Sequence, residues 1–266
     1  MINLLSVEWM KIKGYRTFWV LAAFFVASII GINYFFYYIK QVTIPDTGMA
    51  NAIIGTPFSF PNVWHTVTYI SSFLLFLPGL MIITSVTNEF VYRTNRQNII
   101  DGWSRREFIH VKMLLVVLLA LFSTLFVFLT ALVLGAVTGG TLNIDKLEFL
   151  FYYFVQALSY GMVALGLSVF IKRSGLAIGI FFLYSFVIEN ALGGFLSYKT
   201  RDAGKFSALG DYLPLNVTDA LIPFPFLRNI VKLQTEHSVY VLLTVSGVYL
   251  LIYYFFSKKK FTQTDL

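Results

Sequence analysis

Three histidines, His65, His110 and His237, supply the imidazoles for metal binding or general-base work, and they lie in three separate stretches with no metal-ligand spacing between any two. No His-Glu-x-x-His run occurs, and no apolar stretch holds a pair of carboxylates. The nearest approach to a phosphate loop is Gly193-Gly194-Phe195-Leu196-Ser197-Tyr198-Lys199-Thr200. Its Tyr198 stands where a second glycine has to let the backbone approach phosphate. Cysteine is absent, which excludes thiol catalysis, thiolate metal sites and disulfides. The residue types that do chemistry therefore do not assemble into a catalytic or metal-binding pattern. The chain is expected to be no enzyme and to carry no metal or cofactor of its own.

The elements that would position any site are dictated by composition. Of 266 residues, 58% are hydrophobic and 18% aromatic, while only 12% are charged. A soluble domain usually has about 25% charged residues, so too few are present to cover a water-exposed surface. Mean hydropathy is +0.74. A helix crossing a bilayer needs about 20 apolar residues, and six stretches fit: 18–39, 66–87, 113–137, 149–171, 174–195 and 238–256. The first four have no charged residue, and the fifth has Glu189 alone. The first is too long for a removable leader and has no small-residue cleavage site. The expected fold is an all-α integral membrane protein, one transmembrane domain over residues 1–266.

The net charge of +7 would suit nucleic acid in a soluble protein, but its placement points to a membrane. Lys and Arg gather in 1–17, 88–112, 172–173 and 257–266, whereas the short loops on the other side hold only Lys40 and Lys146. The positive-inside rule then places both termini in the cytoplasm. The outer segment 196–237 carries further basic residues, but long loops weigh little in that rule.

Three segments are neither span nor plain loop. In 2–17, Ile2, Leu5, Trp9 and Ile12 repeat at helical spacing, with Glu8, Lys11 and Lys13 off that stripe. This fits either an amphipathic helix in the cytoplasmic interface or a simple charged flank. The loop 89–112 is the most polar part of the chain, mixing Glu89, Arg93, Arg96, Arg105 and Arg106 with Ile99, Ile100 and Trp103. That mixture fits a short helix docking on another protein, or a solvated loop. Segment 196–237 is too apolar for a solvated loop and too broken by Pro214, Pro223 and Pro225 for a span, which fits a re-entrant pair of short helices on the outer side. Within the spans, Pro78-Gly79 is expected to kink the second, and Gly175-x-x-x-Gly179 permits close helix approach in the fifth. Tyr34, Phe35 and Tyr38 form either an interfacial aromatic belt or the wall of a pathway. Glu189, about 22 Å along its helix from the inner end, is either an interfacial carboxylate or part of an outer gate.

This layout resembles the transmembrane subunits of type-2 ATP-binding-cassette (ABC) exporters, in particular the small six-span bacterial permeases. The opening LLSVEWMKIKGYRTFW, with Leu5, Trp9, Lys11 and Lys13, is similar to the family's interfacial connecting helix. Glu89 at the exit of the second span, then Thr94, Ser104, Arg105 and Lys112, is similar to its loop signature. A glycine commonly precedes the threonine there, and Arg93 stands in its place. The outer segment before the last span resembles the family's re-entrant pair. The resemblance implies a cytoplasmic coupling helix formed around Glu89, Arg93, Thr94, Arg96, Trp103, Ser104, Arg105 and Arg106, seated on a separate ATPase subunit that binds ATP and Mg. It further implies a dimer of permeases, identical or not, in the bacterial inner membrane, and an export pathway for an amphipathic lipid, peptide or drug-like substrate. No nucleic-acid partner is expected. The alternative is a secondary transporter or channel not driven by ATP, disfavoured by the scarcity of charge at mid-membrane.

Overall fold

An apolar run in lipid has to satisfy its own backbone, and helices do so within one segment. The computed structural model describes residues 2–43, 55–100, 102–200, 209–225 and 238–263, and these are helical with no strand among them. In chain order they form α1 (Ile2–Gly14), α2 (Arg16–Thr43), α3 (Asn62–Ser72), α4 (Phe76–Val91), α5 (Thr94–Ile100) and α6 (Arg105–Val137). There follow α7 (Glu148–Ile171), α8 (Ser174–Phe182), a π-helical turn (Leu183–Ile188) and α9 (Glu189–Lys199). After a 3-10 turn (Leu209–Tyr212) come α10 (Asn216–Asp219) and α11 (Val239–Gln263). Five helical stretches are long and apolar enough to cross a membrane, and the count is six if α3 and α4 form one bent span. Such a set is compatible with a membrane-embedded protein.

The packing centre is α7, which lies against α3, α4, α6, α8 and α11. Between membrane helices, association comes from close van der Waals fit and hydrogen bonds, so small residues belong at the contacts. Gly161 illustrates this, because a Cβ there would come within 2.6 Å of Val116 and 3.1 Å of Ile82. By contrast α2 buries only the stripe Phe18, Ala22, Phe25, Ile29 and Asn33. Asn33 fastens it by donating to Ile29 O at 2.9 Å and to Ser71 Oγ at 3.0 Å.

The helices depart from the expected spans in instructive ways. The second span breaks at 73–75 with a bend of 46° between α3 and α4, one turn before Pro78. A proline ring clashes with the carbonyl four residues earlier, here Leu74, so the break falls ahead of the proline and leaves Pro78 in the first turn of α4. Gly79 is a packing glycine, since a Cβ there would collide with the Phe181 ring. Gly175 and Gly179 show nothing within 4 Å of an added Cβ, so this pair makes no close helix contact among the described residues. α6 begins at Arg105, eight residues before the expected 113, because Ser104 and Glu107 form a capping box there. α11 runs on through Lys258, Lys259 and Lys260.

Candidate functional site

Polar side chains collect at the two ends of the bundle. At the end carrying both terminal helices, α1 turns one face inward. Glu8 and Ile12 are buried and Lys11 half-buried, while Trp9 is 56% exposed and meets Trp19 edge to face at 6.2 Å. Glu8, Lys11 and Ile12 therefore lie on protein, while Trp9 and Lys13 lie outward. Glu89, one turn from the end of α4, and Lys112, two turns into α6, meet Glu8 there. Lys112 is fully buried, bonding Glu8 at 2.7 Å and also Glu89. Lys11 adds contacts of 3.4 Å to Glu8 and 3.3 Å to Glu89. Two carboxylates and two ammonium groups thus balance, with Lys112 fully buried and Lys11 at the edge toward water, the pairing buried charges require. Burial pushes the Glu8 carboxyl up, but the ammonium groups of Lys112 and Lys11 outweigh it and hold the group below the usual carboxylate range.

The polar loop is built onto this cluster. α4 ends in a turn in which Arg93 adopts a left-handed backbone, φ 55°. That is the conformation glycine tolerates best. α5 follows, Gly102 turns the chain at φ 101°, and Trp103 N donates to Asn98 O at 3.0 Å. Trp103 lies half-buried beneath Lys11, whose Nζ is 5.5 Å from the ring centroid. Arg105 donates to Thr262 O at 3.0 Å, tying the loop to the end of α11. Ser104 caps α6, Thr94 is half-buried, and Arg93 and Arg106 point outward with Lys13. Tyr92 and Ile100 are 74% and 83% exposed. The side chains of Leu5 and Arg96 lie outside the described residues.

At the far end, Glu189 follows the π-helical turn and is buried, accepting from the backbone N–H groups of Leu215 and of Asn216, the latter at 3.0 Å. Asp219 accepts from Gln156 Nε2 at 2.8 Å and from Tyr160 at 3.2 Å. Burial pushes the Asp219 carboxyl up to about 7, the bonds from Gln156 and Tyr160 opposing and the charge of Glu189 adding. His65 stacks on Phe149 at 3.9 Å and bonds Pro223 O at 2.7 Å, so the segment before α11 is sewn to α3, α7 and α9. The described part of that segment, 209–225, contains two short turns of helix; 201–208 and 226–237, including His237, lie outside the described residues. Tyr34, Phe35 and Tyr38 are exposed on α2. Pro78 is buried in α4.

The loop residues expected to act as a group divide in the structure. Glu89, Trp103 and Arg105 face the bundle, whereas Arg93 and Arg106 face out. Glu8 and Asp219 were missed. The pairing of Glu8 with Lys11 at i, i+3 is a signal legible in sequence, whereas nothing local marks Asp219. Among the described residues no group of three or more metal-ligating side chains occurs. No protein-family model matches the sequence, and neither does any curated protein.

Proposed function

We propose that the chain is the permease subunit of an ABC export system, in which two permeases line a pathway for an amphipathic substrate and a separate ATPase supplies the energy. Both termini lie in the cytoplasm in this reading, following the basic residues of 1–17, 88–112 and 257–266. The observation that carries the reading is the cluster of Glu8, Lys11, Glu89 and Lys112. It fastens the terminal helix, the exit of α4 and the start of α6 into one unit beneath a loop whose outer face displays Tyr92, Ile100 and Arg106. A push on that face is delivered to α1, α4 and α6 together, which is what coupling to a moving ATPase needs. Arg93, which stands where the family the sequence resembles commonly has a glycine, adopts a left-handed backbone, the conformation glycine tolerates best, and this supports the reading.

The test is a mild-detergent pull-down of the tagged protein from its own host, with mass spectrometry and an ATPase assay. Recovery of a nucleotide-binding subunit, lost on Ile100→Asp or Tyr92→Asp, is the expected result. An oligomer without ATPase in several detergents overturns it. A second reading, an ion-driven transporter, is favoured by the buried carboxylates Glu189 and Asp219 in the outer half. It requires transport into ATP-free vesicles under an imposed ion gradient, abolished by Glu189→Gln or Asp219→Asn.

A further inference from the structure

Two basic runs that are far apart in sequence meet at one end of the bundle. Lys172 and Arg173 form the two-residue reversal between α7 and α8, where Lys172 is held at φ 56°. Lys258, Lys259 and Lys260 occupy the last turns of α11, which packs along α7. The ammonium groups are placed by aromatic rings. Lys260 Nζ lies 4.8 Å from the Phe170 ring centre, Lys172 Nζ 5.4 Å from Phe90, and Lys258 Nζ 5.5 Å from Tyr254. Phe90 and Phe261, 6.2 Å apart, join the two sides. A ring face attracts an ammonium group without using its N–H donors, so those of Lys172 and Lys258 stay available for an anion. Among the described residues, Lys172, Arg173, Lys258 and Lys259 form no ion pair.

Within three residues of these basic runs in sequence, Phe170, Leu176, Phe255 and Phe256 are exposed. Concentrated positive charge next to exposed apolar side chains complements an anionic phospholipid, whose phosphate adjoins its acyl chains. A solvated topogenic flank would need neither the convergence of the two runs nor the rings that hold them. We propose that this patch is a binding surface for the phosphodiester headgroup of an anionic phospholipid. The surface stands independently of the transport reading, because it uses none of the residues assigned to coupling or to the pathway.

The test is native mass spectrometry of the detergent-purified protein with phosphatidylglycerol or phosphatidylcholine added. Wild type is expected to retain phosphatidylglycerol in preference to phosphatidylcholine. Each basic residue near an anionic surface contributes about fivefold in partitioning. Lys172→Gln with Arg173→Gln, or Lys258→Gln with Lys260→Gln, is therefore expected to cut retention by about tenfold or more, and either pair alone is sufficient should the other fail to fold. Lys172→Arg is expected to keep binding, as is the control Lys13→Gln with Arg16→Gln at the same end of the bundle. Equal loss in the control, or no loss in either patch pair, overturns the proposal. Displacement of the lipid by glycerol phosphate at equal concentration also overturns it, since the site would then be one for soluble phosphate.

Discussion

The two polar ends of this molecule solve the problem of buried charge differently. At the end carrying α1, Glu8 and Glu89 each face an ammonium group, and Lys112 lies between them with no exposure to water. At the opposite end, Glu189 and Asp219 are held by neutral donors, namely backbone N–H groups, an amide and a phenol. A balanced set of full charges is strong only while complete, because removing one member strands the others in a medium that cannot solvate them. A carboxyl among neutral donors can instead take up a proton and keep its place. The end at α1 is thus built as a rigid joint and the Asp219 end as one that can change its charge.

Breaking that contrast at its strongest point has the largest expected effect. Lys112→Met leaves two buried carboxylates facing each other and should cost about 3–5 kcal/mol, read as a loss of thermal stability in detergent. Glu189→Gln retains an oxygen for the two N–H donors and should cost no more than about 1.5 kcal/mol. Equal losses in the two variants would remove the distinction between the ends. The charge swap Glu89→Lys with Lys112→Glu sharpens the same point. Each single change should be severely destabilising, and the double variant should recover by about 0.5–3 kcal/mol relative to their sum.

The ends should also diverge with pH. The Glu8 carboxyl is lower when folded than unfolded, so its contribution is present above the unfolded value of 4.5 and is lost as pH falls through the folded one. Asp219 has the opposite sign. Raised from 3.8 to about 7, it makes the folded state lose stability as pH rises across that window, and no further above it. Thermal melts between pH 4 and 8 should therefore show a decline that Asp219→Asn removes and Glu8→Gln leaves intact. The smallest effect is expected at Arg93. Its left-handed backbone costs a non-glycine residue about 1 kcal/mol, partly returned by the greater freedom of glycine when unfolded. Arg93→Gly should raise stability by a few tenths of a kcal/mol, about the limit of a careful melt, and Arg93→Val should lower it.

Much of the fold was legible in sequence because lipid makes one demand of every crossing segment, and a run of apolar residues meets it visibly. Most helix ends were harder, since polar caps such as Ser104 and Glu107 extend a helix beyond its apolar part. The break before Pro78 was readable as a kink but not in its position, which depends on the carbonyl of Leu74 one turn earlier. Trp9 shows the limit of periodicity. The stripe through it was visible, but whether the apolar or the polar face meets protein depends on what lies opposite, and that proved to be Glu89 and Lys112.

The sequence by itself determined the apolar helical stretches, the polar loop after the second span and the absence of thiol chemistry, because these follow from local composition and covalent type. Only the tertiary structure decided that residues 8, 11, 89 and 112 share one site, that Asp219 meets Gln156 and Tyr160, and that two basic runs nearly ninety residues apart form one patch. Pairing at such separations is set by how helices pack, and packing depends on small residues and shape across all of α7, which no local window of sequence contains.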